Sequence, residues 1–282
     1  MLPALLVLAT TIVYPLASIF VFSWQDLDLT AGDERGRFVG LANYQSVLTS
    51  YNFPGALGHS LLLSVVVVVA TVTLGMGIAL LLNDTFPGRT LARSLVILPW
   101  AMPAFVAAFA WRWILDFQYG AVNHLIRLAS PESPGIALLS QPGLAFWVAA
   151  LVYVWKGLPW TTLVLLAGLQ VVPQDQREAA RVDGASAFHE WRHVVLPSIT
   201  FVLQITVTLL FIWNFNWFDM MWLLTQGGPG RATAILPIDV YTQAFQAFNS
   251  GYASALGVII LAVVVSVALT LFRLWSRQEV GL

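Results

Sequence analysis

The chain has 282 residues, 59% of them hydrophobic and only 10% charged, with a formal net charge of −1 and no cysteine. Soluble chains carry about 25% charged residues, so this one has too little charge to coat a water-soluble body of its length and reads as a polytopic membrane protein. Near-neutral charge leaves no footprint for nucleic acid, and the lack of cysteine removes disulfides, thiolate catalysis and cysteine-ligated metal.

In chain order, six apolar stretches reach the roughly 20 residues needed to cross the hydrocarbon core. They lie near 2–24, 57–83, 94–115, 143–169, 198–224 and 251–275. No polar face recurs along a run such as Leu61 to Leu82, which argues against the core of a soluble helical protein. Backbone inside a bilayer must satisfy its own hydrogen bonds, so an all-α fold of six transmembrane helices is expected. The first stretch has no basic residues before it, and Trp24-Gln25-Asp26 is a poor cleavage context. It reads as a retained helix and not as a signal peptide. In the second stretch, Gly75-Met76-Gly77 suits close helix packing. In the third, Trp100, Trp111 and Trp113 suit an aromatic belt, and Arg112 and Asp116, spaced i, i+4, suit a local ion pair.

Lys156 lies near the middle of the fourth stretch. A lysine at that depth costs about 2.5–3.5 kcal/mol, so it should face a cavity or pair with a neighbour such as Asp219. Gly157 and Pro159 beside it predict a broken helix, and irregular backbone at membrane depth is tolerated where it lines a cavity.

Between the fourth and fifth stretches lies a polar, charged island, residues 170–197. Gln174 and Asp175 are N-cap candidates, Glu178-Ala179-Ala180-Arg181 are good helix formers, and Gly184 can turn the chain with φ > 0. Ser186 can cap a second short helix with Glu190 in its first turn, and Leu196-Pro197 ends it. The result is a helix, glycine turn and helix able to seat in a partner's groove. His189 and His193 are i, i+4 without an evident third ligand and read as surface residues.

Lys and Arg in the loops set orientation. Arg89, Arg93, Arg177, Arg181, Arg192, Arg273 and Arg277 crowd one side on short loops. Arg35, Arg37, Arg127 and Arg231 spread over longer loops on the other, which also holds Asp26, Asp28, Asp33, Glu34 and Glu132. Both termini and the island are therefore expected in the cytoplasm. The fifth stretch supplies Trp213, Asn214, Asn216 and Trp217. Amides both donate and accept, which suits sugar hydroxyls, and tryptophan offers a flat face to the C–H side of a pyranose. Asn214 and Trp217 share a helical face; bonding between helices is the plainer use of the asparagines. The chain lacks a Gly-x-x-x-x-Gly-Lys-[Ser/Thr] phosphate loop, so any ATP must be held elsewhere. Acids within the spans are nearly missing, which weighs against an ion-coupled secondary transporter and against an intramembrane enzyme.

Glu178-Ala179-Ala180, three residues, Gly184, nine residues, Val194, one residue, then Leu196-Pro197 resembles the signature of the membrane subunits of ATP-binding-cassette importers. Trp213 to Asp219, Leu223 to Pro229, Tyr241 to Phe245, Gly251-Tyr252-Ala253-Ser254-Ala255 and Gly40-Leu41-Ala42-Asn43-Tyr44 resemble the carbohydrate-importer branch, and Thr225-Gln226-Gly227-Gly228-Pro229 is similar to the maltose-transporter-type first permease. The resemblance implies a type I importer permease fold, with a first helix and outer loop over 1–56, a transmembrane domain over 57–275 and a tail over 276–282. It implies a coupling helix, with Glu178, Ala179, Ala180, Asp183 and Gly184, that docks on a dimeric ATPase. It implies a sugar site at Tyr153, Lys156, Gly157, Trp160, Asn214 and Trp217, several of which match the family in place and not in type, so that the substrate differs from a maltodextrin. A second homologous permease and an extracytoplasmic solute-binding protein are the implied partners. A transport subunit without cofactor or enzymatic activity, multi-pass in a bacterial or archaeal plasma membrane, is the expectation. Lys156 leaves glycerol-phosphate or a polyol as the alternative cargo.

Overall fold

The computed structural model describes residues 2–28 and 36–279. Asp33, Glu34 and Arg35 of the expected outer loop, the side chain of Arg277 and the end of the tail lie outside the described residues. The helices are α1 (Pro3–Ser23), α2 (Ala42–Thr49), α3 (Phe53–Asn83), α4 (Arg89–Ala101), α5 (Ala104–Ile114), α6 (Ala121–Ala129) and α7 (Pro142–Gln170). There follow α8 (Gln174–Val182), α9 (Ala187–Ser198), α10 (Thr200–Asn216), α11 (Phe218–Thr225), α12 (Leu236–Tyr241) and α13 (Ser250–Glu279). A two-stranded ladder pairs Gln25 with Phe38 and Asp26 with Arg37, a small departure from an all-helical chain.

Among the described residues, α1, α3, α7 and Ser250–Trp275 of α13 are each long and apolar enough to cross a membrane; α4 with α5 and α9 with α10 make up to two more spans, bent by 96° and 70°. The expected continuous helices over 94–115 and 198–224 are thus corrected. Pro103 causes the first break. It pushes Met102 into extended backbone (φ −73°, ψ 132°), as the residue before a proline prefers. The fifth span bends at Ile199 (φ −102°, ψ 5°) and breaks again at Trp217 (φ −79°, ψ 83°). The fourth span departs the other way. Helix α7 runs unbroken through Gly157 and Pro159, so the expected break there is absent. One proline removes a single N–H, and the packing of α7 along α3 outweighs that loss.

That packing forms the centre of the bundle. A Cβ on Gly75 would lie 3.0 Å from Thr161 Cγ2, and one on Gly157 would lie 3.4 Å from Thr71 Cγ2. Close approach of α3 and α7 therefore depends on Gly75, while Gly77 faces open space. Gly75→Leu should overpack this contact at a cost of about 1–3 kcal/mol. The check is the thermal midpoint of the detergent-solubilised protein, and an unchanged midpoint would show that the helices are free to separate.

At the end of the bundle that carries the charged island, arginines close α3. Arg89 Nε donates to Leu82 O (2.8 Å), and Arg89 Nη2 and Arg93 Nη2 donate to Asn83 O and Leu82 O (3.2 Å each). Cations there satisfy orphaned carbonyls and oppose the helix dipole.

At the far end, short motifs hold the turns. Asn43 Nδ2 donates to Ser23 O (3.0 Å) and Gln25 O (2.8 Å), and the Tyr44 and Ser23 hydroxyls lie 2.7 Å apart. A side chain on Gly251 would collide with the Gln25 carbonyl. Gln226 and Gly227 take left-handed backbone (φ 53° and 83°). The turn they open is braced by Thr233, whose hydroxyl donates to Gly228 O at 2.7 Å and meets the Thr225 hydroxyl at 2.6 Å. The expected Arg112–Asp116 ion pair is replaced by a turn cap, with Asp116 Oδ1 accepting from the N–H groups of Gln118 and Tyr119 (2.8 Å each).

Candidate functional site

Helices α7 and α10 bring five of the six sequence-predicted substrate residues to one cavity of about 170 Å³: Lys156, Gly157, Trp160, Asn214 and Trp217. The sixth, Tyr153, is fully buried behind the wall. Its hydroxyl donates to Trp217 O at 2.5 Å, and the two rings meet edge to face with centroids 5.0 Å apart. Tyr153 thus supports Trp217 from behind. Trp100, Leu210 and Trp213 complete the lining. Trp160 and Trp213 also meet edge to face, at 4.7 Å, a preferred aromatic geometry that fixes the two rings against each other.

Asn214 is buried, and its Nδ2 donates to Leu210 O within its own helix (2.7 Å). Asn216 does the same to Ile212 O (2.8 Å). The asparagines therefore bond within α10 and not between helices. The carbonyl oxygen of Asn214 is the polar group left to accept a hydrogen bond in an otherwise apolar wall.

Lys156 is 7% exposed, and Asp219 is not its partner. Its ammonium donates to Pro99 O (2.7 Å), Trp100 O (3.3 Å) and Met102 O. These carbonyls end α4 at the break in the third span. Sequence alone assigned Trp100 to a membrane belt, because the 96° bend that turns it toward α7 is a tertiary feature. Pro103 was the available signal for it.

A larger cleft of about 380 Å³ opens at the far end between α5, residues 137–140 and the turn after α11. It is more polar, with Arg112, Asp116, Ser140 and Thr225 among its walls, and holds none of the predicted residues. The smaller cavity is the candidate site because four tryptophans and a half-satisfied amide line it.

The second candidate element is the charged island. Helix α8 closes at Gly184, whose φ is +82°. Ala185 N–H donates to Ala180 O (2.9 Å) and Gly184 N–H to Arg181 O (3.1 Å), the bonding of a Schellman turn. Ser186 Oγ caps α9 by accepting from His189 N–H (3.3 Å). The N-cap of α8 is Pro173, not Gln174 or Asp175. Gln174 instead donates to Glu178 Oε1 (2.8 Å).

Glu178, Ala179, Asp183 and Gly184 are exposed and Ala180 is half-buried. Val182 (86% exposed) and Phe188 (66%) add apolar surface to this otherwise polar tip. His189 and His193 stack at 4.9 Å, and no group of three metal ligands occurs among the described residues.

Sequence reasoning missed the joint between α8 and α9. Glu190 is buried and accepts from Arg177 Nε (2.6 Å) and Arg181 Nε (2.8 Å). The i, i+4 spacing of the two arginines was the available signal, since it puts both on one helical face. Arg181 first, then Arg177, holds the Glu190 carboxyl below the usual carboxylate range.

Comparison with known proteins shows the family. Residues 71–279 match the family described as the binding-protein-dependent transport system inner membrane component. The trehalose/maltose transport system permease protein MalF of Thermococcus litoralis is 35% identical over 94% of this chain and 88% of its own. The sulfoquinovosyl glycerol transport system permease protein SmoG of Agrobacterium fabrum is 30% identical over 98% of this chain and 89% of its own. The inner membrane ABC transporter permease protein YcjO of Escherichia coli is 33% identical over 99% and 92%. A chain of a bacterial ABC transporter that imports the acidic polysaccharide alginate superposes with a TM-score of 0.85 at 18% identity, over 98% of this chain and 93% of that one. The chain belongs to the family of inner-membrane components of binding-protein-dependent transport systems, and is a permease subunit of an ABC importer and not an enzyme.

Proposed function

We propose that this chain forms one half of the translocation path of an ATP-driven importer for an uncharged sugar. The observation that carries the reading is the cavity that Trp160, Trp213, Trp217 and Asn214 line together. Indole faces pack on the C–H side of a sugar ring and the amide meets its hydroxyls. Relatives named for trehalose/maltose and for sulfoquinovosyl glycerol support the sugar class. Lys156 does not favour the glycerol-phosphate alternative, because its three N–H donors point at three backbone carbonyls and leave none for an anion.

Energy enters through the island. A separate ATPase dimer binds the exposed tip around Glu178, Ala179, Ala180, Asp183 and Gly184, on the cytoplasmic side with both termini. A second, related permease closes the cavity from the opposite side, and the solute-binding protein delivers at the far end. The tip is wired to the cavity by the chain itself: α7, with Lys156 and Trp160, leads into α8, and α9 continues into α10, which carries Asn214. A push on α8–α9 therefore shifts the two walls of the site relative to each other, as alternating access requires.

Proteoliposomes holding this chain with its partner permease, ATPase and binding protein test the reading. Uptake of a labelled neutral sugar should require both ATP and the binding protein. Trp217→Ala should lower uptake efficiency at least about tenfold, on the scale of a lost tryptophan hot spot, with the complex still assembled. Sugar uptake by this chain alone, or unchanged kinetics in Trp217→Ala, would overturn it.

A further inference from the structure

We propose that Lys156 is a positioning residue, which replaces the missing backbone donors at the break in the third span and so holds Trp100 in the wall of the cavity. In an intact helix the Pro99 carbonyl would accept from the N–H of residue 103. Residue 103 is proline and has no N–H. Met102, turned into extended backbone, carries a further carbonyl outside any helical ladder. Inside a bilayer water cannot repair such groups. The Lys156 ammonium has three donors, and the three carbonyls of Pro99, Trp100 and Met102 receive them.

The position is electrostatically suited to a cation. The carbonyls form the C-terminal end of α4, the negative pole of its dipole. No carboxylate joins the cluster among the described residues. Lys156 itself stands on the unbroken helix α7, against which α4 packs, so its head is a fixed point. Trp100 sits between two of the held carbonyls and lines the cavity. Its ring direction follows from the break, and the break is kept open by Lys156. That last step rests on the cavity reading above.

The experiment compares Lys156→Met, Pro103→Ala, the double variant and Trp100→Ala in the complete reconstituted transporter. Lys156→Met should lower the yield of assembled complex roughly tenfold, the scale of buried acceptors left unpaired. In the double variant, the alanine at position 103 restores an N–H to Pro99 and the span can run on as helix. Assembly should recover, while the KM for uptake stays raised because Trp100 has left the wall. Trp100→Ala should raise KM by a similar factor with normal assembly. A double variant that assembles no better than Lys156→Met would overturn the capping role. One that recovers both assembly and the original KM would reduce Lys156 to a structural residue. An unchanged KM in Trp100→Ala would overturn the positioning step and leave the rescue of assembly to judge the capping on its own; Trp217→Ala, measured beside it, tells whether the cavity reading has failed as well.

Discussion

Arg177→Ala/Arg181→Ala is expected to raise the ATP hydrolysed per solute imported at least about tenfold, the scale of a buried, hydrogen-bonded charge left without partners. Glu190→Ala should have the smaller effect. The asymmetry follows from burial. Glu190 keeps 7% of its side-chain surface, whereas Arg181 keeps 60% and Arg177 keeps 32%. Removing the carboxylate frees two cations that already reach water, and exposed pairs contribute little. Removing both cations strands a buried anion, which must then be hydrated by opening the α8–α9 joint. Limited proteolysis at the turn around Gly184, alongside the ratio of ATPase to uptake, measures the opening. Equal effects from the two variants would show that the joint does not depend on the Glu190 charge. The pH dependence has a fixed sign. A carboxyl held below its ordinary range contributes stability that is present above that range and lost as pH falls through its folded value. Coupling should therefore hold from neutral pH down through the usual carboxylate range and decline below it, when the face that carries α8 and α9 is acidified.

Much of this was legible in the sequence, and the parts that were not share a physical cause. Apolar length located the membrane segments because the bilayer imposes a length on helices. It did not locate the break at Pro103, because an interrupted span is as apolar as a continuous one. The same blindness merged α10 with α11 across Trp217. Gly184 and Ser186 were legible because turn and cap chemistry is local. Lys156 is legible as an expensive residue that faces a cavity or a partner; it lines the cavity, and the error is confined to the partner. The sequence offers Asp219 as a charge of opposite sign, whereas the donors go to backbone carbonyls that only the 96° bend of the third span exposes. Trp100 followed the same error, since a tryptophan near the end of a span reads as a belt until the span is folded back. Glu190 reads from the sequence as a first-turn acid, a local role. Its pairing with Arg177 and Arg181 across a turn belongs to tertiary structure.

Gly184→Trp is expected to abolish coupled uptake while leaving insertion and assembly of the membrane subunits intact, and Gly184→Ala is the variant that makes the result informative. Two effects are mixed at this position. Gly184 has φ +82°, so any side chain is strained there, at about 1–2 kcal/mol. A Cβ at this place meets no atom within 4 Å, so the alanine adds strain and nothing else. The strain falls on one turn, held by the Ala185–Ala180 and Gly184–Arg181 backbone bonds, while Glu190 fixes α8 to α9 independently. Alanine should therefore weaken uptake modestly. Tryptophan adds the same strain and a large ring on the face that Val182 and Phe188 leave open. If the tip seats in the ATPase, the ring blocks the seat, and hydrolysis continues without transport. Equal losses in the two variants would mean that the turn's conformation is what matters and that this face touches nothing. A full loss in tryptophan with most activity kept in alanine would place the partner's surface against Gly184.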